Sequence, residues 1–369
     1  MGHKIALVSD WYFPMVGGVE HQIRDLAVEL TRRGHEVHVL TSIPGAPSLD
    51  GVRVHRLDVS RIPYYRVTVS PRALGQLERI FRAQCFDVVH GHGSYSPLAY
   101  AAVWVARRLG IASVLSSHNV LGPRVAALAG ALVRRLDVAP DQVTAVSALT
   151  RREMEQVFSR PAAVVPNGID LSAWRVPRRV DGLQVVSAMR YYVRKAPHEL
   201  VHAIPQILAG LPAHLEPRFV LAGDGPHRAR LERFIARAGL ADRVRFPGTV
   251  SHGELRRLFA QSQLFIHANV KEAFGLAALE ARASGLPVVA MRASGVRELV
   301  EHERTGLLAD DRADWVGCVR RLLLDGRLRA ELTARSGEGL DRFSLARVAD
   351  RYLDVYAQAR GEPARRSAA

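Results

Sequence analysis

The sequence predicts an α/β protein made of two Rossmann-like domains, each with its own parallel sheet. Short apolar runs that suit buried strands alternate with segments of helical periodicity along most of the chain, which is typical of parallel α/β domains. The alternation stops at 166–170, where the chain reads Pro-Asn-Gly-Ile-Asp, and resumes after a polar stretch that ends at Gly182. With 369 residues, 48% of them apolar, the chain is long enough for two cores.

Each strand is predicted from a run rich in Val, Ile, Leu or Phe that turn residues bound on both sides. In the first half these runs are 5–9, 37–41, 87–90, 113–116, 143–146 and 163–165. In the second half they are 183–188, 219–222, 244–246, 264–267 and 288–290. Apolar residues at helical spacing predict a helix over 19–33, and Gly34 suits the left-handed conformation that ends a helix.

The domain boundaries follow from these patterns. We expect a first domain over residues 1–170, a second over 171–344 and a last helix over 345–360. A cleft should separate the two domains, since each has a sheet of its own. The tail 361–369 is expected to be disordered.

Charge and cysteine content narrow the class of protein. The net charge of +15 could attract nucleic acid, anionic lipid or phosphorylated substrates. The basic residues are dispersed and no aromatic ladder accompanies them, so nucleic acid is the weaker interpretation. The two cysteines lie far apart without ligand-like neighbours, which predicts neither a disulfide nor a metal site. No apolar run could span a bilayer and no signal peptide is recognisable, so we expect a soluble, cytoplasmic protein.

Two carboxylates eight residues apart, Glu272 and Glu280, frame a predicted loop and helix start. Leu276, Leu279 and Ala283 can share one buried face of that helix, while Glu280 points toward its N-terminal end. Free N–H groups and a partial positive charge at that end can hold an anion. Glu272, just ahead of it, can accept hydrogen bonds from hydroxyls. A phosphate between hydroxyl-binding carboxylates indicates a sugar nucleotide.

This segment resembles the Glu-x7-Glu element of the retaining glycosyltransferases of family 4, which have the GT-B fold. Within that family the motif style is nearest to members that transfer N-acetylglucosamine or mannose to phosphatidylinositol. The resemblance covers almost the whole chain and implies two domains facing a central cleft, with the last helix crossing back to the first domain. It implies a catalytic role for Glu272. It also implies that the segment binds the donor through Ala273, Phe274, Gly275, Leu276 and Glu280.

Paired glycines, Gly17 and Gly18, follow the first predicted strand and open a helix. Such glycines let backbone N–H groups approach a ligand closely, or they simply form a tight turn. The segment lacks the Gly-x-Gly-x-x-Gly dinucleotide fingerprint. It resembles the Gly-Gly loop of GT-B transferases, which implies that Gly18 lies beside the donor phosphate and Gly17 on the acceptor side.

Two histidine-containing stretches, 90–94 and 116–119, follow neighbouring predicted strands at the edge where parallel sheets place ligands. A lone histidine is usually structural, and a His-x-His pair could suggest a metal. No carboxylate or cysteine joins these residues, so no metal site is expected. By resemblance, His118 matches the active-site histidine that contacts the donor sugar, and His92 shapes the acceptor side.

Cations follow the first strand of the second half, in the sequence Arg190-Tyr-Tyr-Val-Arg194-Lys195. Such a run is most often a basic surface loop, but at the end of a strand it can neutralise a diphosphate. Only three residues of this arginine-rich chain are lysines, so the lysine here is informative. Arg190 and Lys195 resemble the pair that binds donor diphosphate, although the glycine that often follows is Ala196.

Two further turns resemble family segments near the nucleotide. The strand ending at Ala222 leads into Gly223, and Val250 matches the residue whose backbone reads the base. Turn chemistry alone would explain the glycine equally well.

The resemblance implies a retaining hexosyltransferase that uses a nucleoside-diphosphate sugar and needs no cofactor. No Asp-x-Asp motif is present to carry Mg²⁺, so cationic side chains would offset the leaving charge. Retention would proceed by same-face attack within an ion pair. The alternatives are a sugar-nucleotide epimerase of the same fold and a non-catalytic protein that binds sugar or anionic lipid.

The acceptor is a hydroxyl on a small or lipid-linked molecule, and the residues do not choose between them. Residues 123–135 are apolar with basic ends. They could lie on an anionic membrane and admit a lipid acceptor, or form an ordinary core helix, which the alanine-rich face favours.

Overall fold

The computed structural model describes residues 2–62, 66–179 and 181–362. Its contacts divide the chain into two compact units. The first contains the residues up to Ile169 together with those from Arg342 onward, and the second runs from Asp170 to Asp341. Of the predicted disordered tail, all beyond Glu362 lies outside the described residues.

The first unit is built on a mostly parallel sheet. Its strands and those of a small separate ribbon are β1 (Lys4–Ser9), β2 (Glu36–Thr41), β3 (Ser48–Leu49), β4 (Val52–Arg56), β5 (Arg61–Ile62), β6 (Val67–Thr68), β7 (Val88–His92), β8 (Ala112–Ser117), β9 (Gln142–Ala145) and β10 (Ala163–Val164). The order in the main sheet is β10-β9-β8-β7-β1-β2-β4-β3, with only the β3–β4 pair antiparallel among the described strands. The antiparallel pair β5–β6 forms the ribbon.

Helices follow the strands of this sheet in turn. They are α1 (Gly18–Arg32), α2 (Arg72–Gln84), α3 (Pro97–Arg108), α4 (Pro123–Arg135) and α5 (Ala148–Phe158). Gly34 follows α1 with φ +85°, which confirms its predicted left-handed conformation.

The second unit repeats the pattern with a fully parallel sheet of order β13-β12-β11-β14-β15-β16. Its strands are β11 (Gln184–Ala188), β12 (Arg218–Ala222), β13 (Val244–Gly248), β14 (Leu264–His267), β15 (Val288–Met291) and β16 (Gly306–Ala309). Its helices are α6 (Leu171–Trp174), α7 (Pro197–Ala209), α8 (Arg228–Arg237), α9 (His252–Gln261), α10 (Leu276–Ala283), α11 (Arg312–Leu324) and α12 (Gly326–Arg335).

The last helix, α13 (Leu345–Ala359), belongs to the first unit and packs against α1, β8 and β9. Its aromatic residues Tyr352 and Tyr356 are buried in a core that also contains Val114 and Val165. Where the chain leaves this unit and returns, Ile169 pairs with Ser344 in a parallel bridge.

The strands predicted from apolar runs are confirmed within about two residues at each end, which makes the α/β class correct. Five of the described strands are not predicted: the two-residue strands β3, β5 and β6, together with β4 and β16. β4 alternates buried valine with exposed arginine, and β16 is a four-residue Gly-Leu-Leu-Ala segment whose composition suits a helix equally well. Within the described ranges no helix combines the length and apolarity needed to cross a bilayer.

Candidate active site

The cations of the second unit lie on a loop that a buried tyrosine anchors beneath the end of β11. The Tyr191 hydroxyl donates to the Leu221 carbonyl at 2.5 Å, and its backbone N–H donates to the Asp224 carbonyl at 2.8 Å. This anchoring leaves Arg190 exposed on one side and Lys195 half-buried on the other.

Lys195 and Glu272 form a short ion pair, with Nζ 2.6 Å from Oε2. Burial raises the pKa of the Glu272 carboxyl, but the charge and hydrogen bond of Lys195, with the charges of nearby basic side chains, together lower it to about 2. His267 Nε2 lies 3.6 Å from the same oxygen. Burial lowers the pKa of His267 to about 4, so at neutral pH this ring is uncharged and Lys195 is the cation that compensates the carboxylate.

The backbone of the loop that carries Glu272 is held by a close contact with a later turn. Gly295 N–H donates to the Glu272 carbonyl at 2.8 Å, and a Cβ at Gly295 would lie 2.0 Å from the Ala273 carbonyl oxygen. Ala273 and Phe274 are buried. Gly275 then begins α10 as its N-cap with φ +94° and no side-chain cap.

Leu276 therefore opens a helix whose first N–H groups are not capped by a side chain. The predicted buried face of this helix is only partly correct. Leu279 is buried, but Leu276 and Ala283 are half-buried, because the helix packs on more than one side and buries the stretch 278–282.

The second carboxylate, Glu280, is buried on α10. His252, the first residue of α9, brings Nε2 to within 4.0 Å of Glu280 Oε1. Val250 lies two residues before His252, at the loop between β13 and α9. The residues predicted to read the base and the ribose are therefore local neighbours.

Gly223 has a packing explanation of its own. Its φ is +138°, and a Cβ there would lie 1.8 Å from the Met189 carbonyl oxygen. The glycine allows the turn after β12 to pass directly beneath the loop that carries Arg190.

In the first unit, Gly17 is the N-cap of α1, and Gly18 is its first residue. Gly17 has φ −175° and ψ 175°, an extended conformation that any residue adopts, and α1 has no side-chain cap hydrogen bond. The pair opens the helix as predicted, and Gly17 has no side chain that could cap the first turn.

The histidines after β7 and β8 form a buried hydrogen-bonded chain. His118 Nδ1 lies 3.2 Å from Asn167 Oδ1, and His118 Nε2 lies 3.0 Å from His92 Nδ1. Behind them, His90 bonds Tyr356 at 2.8 Å and Ser116 at 2.6 Å.

Burial lowers the pKa of His118 to about 4 and those of His90 and His92 well below their ordinary value. The rings are therefore neutral at pH 7, and their tautomers follow from the hydrogen bonds. His118 donates from Nδ1 to Asn167 and accepts at Nε2 from His92. His92 Nε2 is left as an acceptor that is buried without a partner in the described part of the chain.

Three residues of these clusters escaped the sequence analysis: Asn167, His252 and His267. His267 is the last residue of a predicted strand and the other two follow predicted strands, which is the one signal that could have identified them. Groups of three or more side chains able to hold a metal ion do not occur among the described residues.

Two family profiles match the chain in succession. Residues 16–173 match "Glycosyltransferase Family 4" and residues 171–338 match "Glycosyl transferases group 1". The crystal structure of Anabaena HepE in complex with UDP and glucose is similar in fold, with a TM-score of 0.78 at 20% identity over 96% of this chain and 99% of that one. The chain belongs to the family 4 glycosyltransferases and has the GT-B fold.

Its relatives include two named transferases. The phosphatidylinositol N-acetylglucosaminyltransferase gpi3 subunit of Schizosaccharomyces pombe is 31% identical over 373 residues, covering 95% of this chain and 79% of the relative. The GDP-mannose-dependent alpha-mannosyltransferase of Mycobacterium tuberculosis is 32% identical over 337 residues, covering 83% and 84%.

Proposed function

We propose that this glycosyltransferase moves a hexosyl group of the glucose, N-acetylglucosamine or mannose type from a nucleoside-diphosphate sugar to a hydroxyl acceptor. The transfer retains the anomeric configuration and requires neither a metal ion nor a resident cofactor. The observation that carries the proposal is the ion pair between half-buried Lys195 and buried Glu272, with Glu272 a few residues ahead of the uncapped start of α10.

The diphosphate is assigned to the cations and N–H groups of the second unit. Arg190 is exposed and Lys195 is half-buried, so an entering phosphate can reach both. The N–H groups at Leu276 supply further donors for an anion. As the bond to the sugar breaks, negative charge grows on the departing diphosphate, and fixed cations stabilise that charge.

The two carboxylates are assigned to hydroxyls. Glu272 is ionised at any neutral pH, since its pKa is about 2, and it accepts hydrogen bonds from sugar hydroxyls while stabilising positive charge on the anomeric carbon. Glu280 holds the ribose, and the Val250 backbone reads the base. Gly223 allows the Arg190 loop to take its position.

We assign the hydrogen-bonded histidines to positioning the substrates as neutral rings. His118 orients the donor sugar as a neutral ring that His92 and Asn167 hold in one tautomer. Gly17 and His92 belong to the acceptor side. Same-face attack then places the acceptor hydroxyl against the anomeric carbon as the diphosphate leaves, and the hydroxyl proton passes to the departing phosphate.

The test is a donor screen in the presence of EDTA. Purified protein is incubated with UDP-glucose, UDP-N-acetylglucosamine, GDP-mannose and ADP-glucose, and thermal shift and nucleotide release are followed with and without an inositol acceptor. One selective donor with acceptor-dependent release supports the proposal.

Donor turnover that produces an epimer without any acceptor would indicate an epimerase instead. No stabilisation by any nucleotide would indicate a binding protein. Lys195→Ala should abolish acceptor-dependent nucleotide release. Lys271→Ala is the matched control, because Lys271 is an exposed lysine next to Glu272 on the loop after β14.

A further inference from the structure

His267, the last residue of β14, has a buried ring nitrogen without a hydrogen-bond partner. Its side chain is 5% exposed, and no polar atom of the described residues bonds its Nε2. A buried polar atom in that state costs free energy. Nε2 lies 3.6 Å from Glu272 Oε2, just beyond hydrogen-bond distance. A side chain that only filled space would not need a nitrogen at this place.

Charged groups face this ring from two neighbouring segments. Glu272 lies on the loop after β14, and Lys195, on the loop before α7, has Nζ 2.6 Å from the same Oε2. Burial lowers the pKa of His267 to about 4, an effect that Glu272 opposes and Lys195 reinforces. Arg194, beside Lys195, acts on Glu272. From α11, the uncharged indole of Trp315 donates to the His267 carbonyl at 3.2 Å. One carboxylate oxygen thus has two basic side chains beside it, of which only Lys195 is charged.

The proposed function gives Lys195 a second anion to bind. A donor diphosphate brings negative charge to the ammonium group and draws it away from Glu272. A buried carboxylate is stable as an ion only beside a cation, so Glu272 then needs another one. A shift of less than about 1 Å brings His267 Nε2 to hydrogen-bond distance of Oε2. The departure of the ammonium and the arrival of the phosphates both favour the charged form of the ring.

We propose that His267 takes up a proton when a nucleoside-diphosphate sugar binds and replaces Lys195 as the cation beside Glu272. The inference rests on the proposed function. The proton comes from the solvent and adds to the unprotonated ring nitrogen, so the ring changes from neutral to singly charged and no other bond changes. The imidazolium donates from Nε2 to Oε2 and leaves Oε1 for a sugar hydroxyl. His267 is therefore a positioning residue that acts on the sugar through Glu272.

The first test needs no donor, because Lys195→Met removes the ammonium directly. Carbon-13 NMR of labelled histidine follows the His267 ring, and the signal that is missing in His267→Gln assigns it. The wild-type ring should be neutral at pH 6, whereas the ring in Lys195→Met should be charged there. With Glu272→Gln added it should again be neutral, since no anion remains. At pH 8 the ring of Lys195→Met loses its proton, and Glu272 is left without a cation.

The second test counts protons during donor binding. UDP-N-acetylglucosamine and GDP-mannose are titrated into the full chain by calorimetry at pH 6 and pH 8, in buffers of different ionisation enthalpy. Their phosphates are esterified on both sides, so the probes themselves take up no proton in this range. Wild-type uptake should approach about one proton per donor at pH 6 and be small at pH 8. Affinity should rise as the pH falls, by up to about tenfold for each pH unit.

Variants separate the proton from the mere presence of a polar side chain. His267→Gln keeps a neutral hydrogen-bond donor beside Glu272, so it should bind the probe with no proton uptake and with an affinity that does not change with pH. His214→Gln, at an exposed position, should keep the wild-type uptake. Thermal unfolding at pH 8 shows that each variant is folded.

Three results would overturn the inference. They are a neutral ring at pH 6 in Lys195→Met, donor binding by the wild type without proton uptake, and uptake that persists in His267→Gln but disappears in His118→Gln. The last would assign the proton to the other histidine. If neither probe shifts the thermal transition, the proposed function fails and donor-linked uptake fails with it, whereas the NMR result alone decides whether His267 can replace Lys195.

Discussion

At the scale of single residues, Lys195 and Glu272 compensate each other at a buried position. The carboxylate is ionised because the ammonium is 2.6 Å away, and its pKa of about 2 lies below the ordinary 4.5. The stabilisation is therefore present above pH 4.5 and is lost as the pH falls from 4.5 toward 2. Removing either partner leaves the other charge without compensation.

We expect Lys195→Met to lower turnover at least 100-fold. The same change should lower the free energy of unfolding by about 3 kcal/mol. The stability loss is expected because Glu272 is buried and would be left without a compensating charge. The double variant Lys195→Met with Glu272→Gln should recover most of the stability and none of the turnover. Urea denaturation and donor turnover measure the two effects, and Lys271→Met should change neither. Recovery of activity in the double variant would refute the assigned roles.

The buried histidines predict acid sensitivity. The folded protein keeps His118 and His267 neutral down to about pH 4, whereas the unfolded chain protonates them near pH 6.5. The unfolded state thus binds more protons below pH 6.5, so the free energy of unfolding should fall as the pH falls from 6.5 to 4, by about 3 kcal/mol for each ring. Above pH 6.5 it should be flat.

The measurement is the urea midpoint between pH 8 and pH 4.5. His118→Gln should reduce the slope by the contribution of one ring, while His214→Gln, at an exposed position, should leave the slope unchanged. An unchanged slope in His118→Gln would contradict the assignment.

The position of His118 could be predicted from the sequence, but its hydrogen-bond partners could not. Its place at the end of β8 follows from the sequence, because parallel strands present their C-terminal ends at one edge. Its bonds to His92 and Asn167 do not follow, since those residues lie 26 and 49 positions away and no local pattern relates them.

At the scale of elements, the loop before α10 depends on one close approach. Gly295 passes so near Ala273 that no side chain fits, and its N–H holds the Glu272 carbonyl. The short stretch from 272 to 275 is thereby fixed by a turn more than twenty residues later in the sequence. Sequence patterns predicted the helix, but not this support or the half-buried state of Leu276, because both depend on the packing of neighbouring segments.

We expect Gly295→Ala to displace the loop, destabilise the protein by about 2 kcal/mol and weaken donor binding at least tenfold. Gly317→Ala is the matched control. A Cβ at Gly317, inside α11, meets nothing within 4 Å, so this change should stabilise the protein by up to about 1 kcal/mol. Thermal unfolding and donor titration measure both. Normal donor affinity in Gly295→Ala would contradict the importance of the contact.

At the scale of the whole molecule, the first unit is discontinuous. Its last helix, α13, has seven buried residues, six of them in the core that it shares with the sheet and α1, and Tyr356 bonds the buried His90. The division into α/β halves was predictable from the alternation of strands and helices. The sequence did not predict which buried groups α13 covers, because helical periodicity identifies an apolar face but not the surface that it packs against.

A chain that ends at Asp341 should therefore lose the folded first unit and keep the thermal transition of the second. Burying one large apolar side chain contributes about 1.5–3 kcal/mol, so losing the buried residues of α13 removes more than a marginally stable domain can spare. Calorimetry with limited proteolysis measures this, and Tyr356→Phe, which removes only the hydroxyl, should cost about 1–2 kcal/mol. A protease-resistant first unit in the truncated chain would contradict the prediction.

The bridge between Ile169 and Ser344 has a consequence for synthesis. The ribosome makes the whole second unit, Asp170 to Asp341, between the sheet of the first unit and the helix that covers it. At about 5–20 residues per second this interval lasts roughly ten to thirty seconds. During that time the nascent sheet carries an uncovered apolar face, so the second unit can complete its fold first and the first unit needs protection from aggregation until α13 emerges.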